Sequence, residues 1–229
     1  LIRLIFLLTS LVCSYSFADG NYRKELENFA QKLVFEKYHS QFELGTSEKL
    51  ILKVAPLDKR INYPHCKTGL VGEIVKNKIK STTSVKISCL DAPPWTNYLR
   101  VKVTVLQKAT IVTHALSKGQ TLNQSNITAV YMDKSSIRNG SFISPESLYG
   151  TRLKRNLSAD KVVKARDICF VCKGDKVIIN AVKTGLSIQA SGIALGDANI
   201  GGTVRVKNSR TQRIVVGTVS DLKKVQVSF

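Results

Sequence analysis

The stretch GIALGDANIGGTVRVKNSRTQRIVVGTV, residues 192–219, decides how the rest of the chain is read. Its glycines admit two meanings, a phosphate cradle or a set of β-turns. A phosphate loop places its glycines between a strand and a helix N-terminus, whose free N–H groups face the ligand. Here Gly201-Gly202 lead into TVRVK, an alternating strand, and no helical pattern follows within the sequence. The Lys-Ser or Lys-Thr that follows the last glycine of a P-loop is also missing. These glycines therefore reverse the chain and let strands approach closely.

Working outward, KVIINAV (176–182), LSIQASGIAL (186–195), QRIVVGTVS (212–220) and KVQVSF (224–229) are strand-sized runs separated by turn residues. Such spacing predicts a compact barrel or sandwich over residues 169–229. Upstream, SKGQTLNQSNITAVYMDKSSIRNG (117–140) is rich in Ser, Asn and Gly with brief apolar pieces. SPESLYG (144–150) reads as a helical turn with Ser144 as cap, Pro145 at the first helical position and Gly150 as stop. A small mixed domain is expected over 108–168.

The N-terminal part differs again. YRKELENFAQKLVFEKY (22–38) sets Leu26, Phe29, Ala30, Leu33, Val34 and Tyr38 at helical spacing, the stripe of a helix packed on a sheet. KLILKVA (49–55), TSVKISC (83–89) and LRVKVTVL (99–106) then read as strands, and in the last of these Leu99, Val101, Val103 and Val105 alternate with Arg100, Lys102 and Thr104. Trp95 and Tyr98 are expected to cover the end of this sheet. The fold class is thus mainly β with minor α (α+β), with a helix-plus-sheet domain over 19–107.

Residues 1–18 read as an export signal: Arg3, an apolar run from Leu4 to Val12, and a small-residue end before cleavage after Ala18. The run is shorter than the ~20 residues a membrane-spanning helix requires, so no stable membrane insertion is expected. The formal charge is +19, from 35 Lys+Arg against 16 Asp+Glu. An exported basic protein meets anionic lipid, cell-wall polymer and acidic protein surfaces rather than nucleic acid, so no nucleic-acid partner is expected.

Loss of Cys13 with the signal leaves Cys66, Cys89, Cys169 and Cys172, an even set that favours disulfides outside the cytosol. A Cys66–Cys89 bridge would staple the first domain, stabilising it by ~3 kcal/mol in the chain-entropy model. Cys169 and Cys172 lack the helix N-terminus of a redox pair. Their mutual bridge requires a local turn, since residues three apart on a strand point to opposite faces. Free or intermolecular thiols are the other outcomes. His39, His65 and His114 stand apart, and there is no nucleophile elbow or His-Glu-x-x-His helix. No catalytic residue, metal site or cofactor is nominated, and the chain is not read as an enzyme.

In order, VTHALSKGQTLNQSNI, SLYGTRLKRNLSADKVV, VCKGDKVIINAV and the opening segment resemble the FlgA family of flagellar basal-body P-ring formation proteins. CLDAPPWTNYLRVKVTV adds agreement in the N-terminal half. The most specific matches are Gly192, Ala194, Leu195, Gly201, Val204, Val206, Asn208 and Gly217. The family often carries a glycine where this chain has Ala159-Asp160. The resemblance implies an SAF-like (β-clip) middle domain and a periplasmic, non-enzymatic assembly factor whose partner is the P-ring subunit protein. An envelope-binding module for peptidoglycan or anionic polymer, with a carbohydrate-type SAF site, is the alternative. Under either reading the cations expected to meet the partner are Arg100, Lys102, Arg152, Lys154, Arg155, Arg205 and Lys207. A free edge of the C-terminal sheet is the second expected means of attachment.

Overall fold

The structure, a computed structural model, describes residues 18–137, 140–183 and 186–228. The expected export signal lies outside these residues except for Ala18, where helix α1 (Ala18–Gln41) begins. Leu26, Ala30 and Val34 recur every fourth position and are fully buried, as the helical period requires. No helix among the described residues is long and apolar enough to cross a membrane.

Strands β1 (Glu48–Val54), β2 (Val71–Ile74), β3 (Thr82–Cys89), β4 (Trp95–Val112) and β5 (Ile127–Asp133) form one sheet in the order β1-β4-β3-β2, with β5 paired to β4. β3 and β4 are antiparallel with Val85 opposite Leu99 and Thr83 opposite Val101. Both pairs point into the core under α1, together with Ile87 and Ile74. The alternate residues Arg100 and Lys102 stand on the solvent face. Trp95 packs against this core and its indole N–H donates to the Pro64 carbonyl at 3.1 Å. Tyr98 does not cover the sheet end: it shares the outward face of Arg100 and is 60% exposed. Cys66 and Cys89 are joined, with Cα atoms 5.7 Å apart.

The chain forms two compact units, one of residues up to 44 with 50–104, the other of 45–49 with 105–229. β4 runs unbroken past position 108. In the second unit, Val112, Leu116, Leu122, Leu148, Leu153 and Val163 share one core with Val171, Val177, Val206 and Val225. SPESLYG is a 3-10 turn, Pro145–Leu148, ended by Gly150 at φ +85°. Ser144 makes no backbone cap; its hydroxyl donates to the Glu146 carboxylate instead.

Two short strands, β6 (Arg152–Leu153) and β7 (Ile168–Cys169), pair with each other. After them β8 (Lys176–Lys183), β9 (Leu186–Ala194), β10 (Thr203–Asn208), β11 (Ile214–Asp221) and β12 (Lys224–Ser228) close into a barrel. The closing pair, β12 with β8, is parallel, and the others are antiparallel. The expected free edge of the C-terminal sheet is not a whole strand among the described residues, because each barrel strand has a neighbour on both sides, although β9 meets β10 only over residues 192–194. The opening glycines act at this closure: a Cβ on Gly192 would run into Val206 Cγ1, and one on Gly217 would lie 2.5 Å from Val225 Cγ1. Cys169 and Cys172 are bridged across the turn after β7, with Cα atoms 5.3 Å apart.

Candidate functional site

The residues that follow β6 have little regular structure, so their backbone groups bond to neighbours one by one. Leu157 exchanges both main-chain hydrogen bonds with Leu116, and Val112 donates to the Lys161 carbonyl. Leu157 and Val163 point into the core, which turns the intervening polar residues outward. Asp160 adopts φ +61°, the left-handed region a glycine takes without strain. The chain then makes a 3-10 turn, Ala165–Asp167, into β7.

Asp167 organises this turn. It is 1% exposed, and its Oδ2 accepts from the Lys164 backbone N–H at 3.0 Å. The Arg155 guanidinium pairs with its Oδ1, and Arg166 Nε lies 3.8 Å away. A buried carboxylate persists only when paired and hydrogen-bonded, and here arginine supplies the countercharge. The result is a cleft of about 500 Å³ with Arg155, Lys161, Lys164 and Arg166 on its walls and Ser136 and Ser158 beside them. Two acids, Asp160 and Asp167, face these four cations. Neither Lys161 nor Lys164 has an ion-pair partner among the described residues, so the cleft can attract carboxylates and bind them by charge-assisted hydrogen bonds.

The sequence-nominated cations fall in different places. Arg152 is bound to Asp175, whose other oxygen accepts from the Cys172 N–H at 2.8 Å, so that charge is engaged inside the fold. Lys154 is exposed, and Arg155 joins the cleft. Arg205 and Lys207 project from the barrel wall, alternating with buried Val204 and Val206. Lys207 lies between Ile193 and Ile214 in register, and Arg205 opposite Val216. Ile214 and Val216 are half exposed, so this wall mixes cationic heads with apolar surface. Arg100 and Lys102 belong to the other unit, on the face of Tyr98.

The sequence alone does not group Lys161, Lys164 and Arg166, because DKVVKARD has neither helical nor strand period. The weak signal was the buried-type pair Val162-Val163 between cations. Cys66, Cys89 and Asp91 bring potential ligand atoms within 4.8 Å of one another, but the two sulfurs are bonded together and offer no thiolate.

A family model described as a chaperone for flagella basal body P-ring formation matches residues 107–227. The flagellar protein FlgA of Rhizobium meliloti (strain 1021) is 32% identical over 114 residues, spanning 48% of this chain and 68% of that protein. The crystal structure of Salmonella FlgA in open form aligns over 89% of this chain and 93% of that one, with TM-score 0.46 and 18% identity. Flagellar protein FlgA from Thermotoga maritima MSB8 aligns over 87% and 71%, with TM-score 0.46 and 16% identity.

Proposed function

The chain belongs to the family of chaperones for flagella basal body P-ring formation, and on that premise we propose that it binds P-ring subunits in the periplasm and holds them for assembly. No covalent chemistry is required for this role, only reversible adhesion. The observation that carries the reading is the cleft of Arg155, Lys161, Lys164 and Arg166, whose cations exceed the acids facing them. On a chain of formal charge +19, such a cleft draws in an acidic protein surface and orients it before close contact. Exposed Lys154 enlarges the same field. The barrel wall of Arg205, Lys207, Ile214 and Val216 adds apolar contact, which strengthens a complex once salt has screened the charges. Arg100 and Lys102 supply a further cationic face on the first unit.

A second reading, binding of peptidoglycan, is favoured by a polar cleft of about 510 Å³ lined by Lys108, Gln124, Thr128, Glu146 and Tyr149 among others. An aromatic ring beside hydroxyl and amide groups suits a sugar as well as a peptide.

The two readings separate in one experiment. The chain is mixed with purified P-ring subunit and, separately, with insoluble peptidoglycan, each at low and high salt. A soluble complex with the subunit that suppresses its aggregation supports the chaperone. Co-sedimentation with the wall and no complex with the subunit supports the second reading.

A further inference from the structure

We propose that the open edge of β2 accepts an extended, acidic segment of a partner protein as an added strand. The inference stands on β2 and its surroundings and depends neither on the cleft nor on the partner being a P-ring subunit.

β2 ends the sheet, and Val71–Ile74 pair with β3 alone among the described residues. In an antiparallel ladder alternate residues turn their N–H and C=O away from the paired neighbour, so half of this strand's main-chain groups face outward. Only another extended backbone satisfies such a row in regular order, and strand addition is a recurrent mode of peptide recognition. Val71, at the start of this edge, is 53% exposed.

Room for the added strand lies beside the edge. Helix α1 is drawn close over β2 at Gly72, where a Cβ would fall 2.6 Å from Phe29 Cε1. Farther along the helix a groove of about 620 Å³ opens between Leu33, Lys37 and Ser40 on one side and β2 on the other. Leu33 and Ile74 give it an apolar floor that suits every second side chain of an extended segment.

Charge selects the occupant. Lys37 lines the groove, and Lys76, Lys78 and Lys80 follow β2; all four are without an ion-pair partner among the described residues. Of the acids at the groove, Glu36 is paired with Lys32 at 3.9 Å, and Glu73 stands opposite Lys86 in the ladder. A second copy of this chain, at formal charge +19, is repelled. Lysines beside a short edge also deter indiscriminate pairing. That deterrence and acceptance of an acidic strand act together, since the same charges exclude basic or neutral edges and admit an acidic one.

The test uses the full chain and a synthetic peptide, Asp-Val-Thr-Val-Thr-Val-Glu, titrated at low salt and followed by backbone amide NMR. Saturable shifts confined to Val71–Ile74 and the facing residues of α1 are expected, with slowed hydrogen exchange at alternate β2 amides. N-methylating the peptide on one set of alternate residues should weaken binding about tenfold or more, while methylating the other set should leave it unchanged. The surface variant Lys37→Glu with Lys78→Glu keeps the fold and should bind the acidic peptide several-fold more weakly than a Lys-flanked version. Equal effects of the two methylation sets, shifts that fall elsewhere, or an unchanged charge preference in the variant would overturn the proposal.

Discussion

The sheet under α1 ends in an open strand, β2, whereas the five C-terminal strands close on themselves through the parallel β12–β8 pair. β2 therefore offers one edge over its whole length to a partner, whereas in the barrel the unpaired backbone is confined to parts of strands, such as residues 186–191 of β9 beyond its short pairing with β10. The barrel's outer wall offers side chains instead, with Arg205 and Lys207 beside exposed Ile214 and Val216. The two regions also tolerate change differently. Closure packs interior atoms against backbone on every side, while an open sheet with one helix across it can shift at its margin.

The disulfides give the largest expected effect. Cys66–Cys89 spans 23 positions and Cys169–Cys172 only 3. Replacing the first pair by serine should cost about 3 kcal/mol and the second about 2 kcal/mol, because the longer loop regains more entropy on unfolding. Urea unfolding combined with hydrogen exchange locates each loss, and a larger loss from the second pair would break the contrast.

Next come the buried charge and the glycines. Asp167→Asn keeps the size of the side chain but removes the countercharge of Arg155, and should cost about 2 kcal/mol in urea unfolding. Gly192→Ala should cost about 2 kcal/mol, since the new methyl meets Val206, Ile179 and the Lys207 carbonyl in the closed barrel. Gly72→Ala meets chiefly the Phe29 and Leu33 side chains and should cost about 1 kcal/mol. Equal melting losses for the two glycines would show the barrel to be as yielding as the open sheet.

The smallest effect is in acid. The hydrogen bond from Lys134, 2.6 Å away, holds the Glu48 carboxyl below the usual carboxylate range. A depressed folded-state value stabilises fully above the unfolded value, about 4.3, and that contribution disappears as pH falls through the folded one. With Lys134 half exposed, less than about 1 kcal/mol is at stake. Lys134→Ala should therefore flatten the loss of stability below about pH 4, the region of the unfolded value, in pH-resolved thermal melts.

What was legible in the sequence follows from this division. The face of α1 was readable because Leu26, Ala30 and Val34 repeat with the helical period. The strands around Leu99 and Val206 were readable from alternation, and the mainly β fold with one long helix follows from the two patterns together. Alternation assigns a face only where the partner strand is known, and Tyr98 shows the consequence: its register places it outward beside Arg100. Closure of the barrel had no signal of its own, because the pairing of β12 with β8 joins runs far apart in the chain. The cleft was legible only in Arg155. Lys164 and Arg166 belong to the turn that buried Asp167 organises and Lys161 lines the same cleft, and no period in the sequence records that burial.

Calorimetric titration of purified P-ring subunit into the chain and into its Lys161→Glu, Lys164→Glu, Arg166→Glu variant, at low and high salt, tests the account most directly. Binding by the unaltered chain that weakens with salt, and falls at least about tenfold on charge reversal, is the result predicted. An affinity indifferent to both salt and reversal would contradict it.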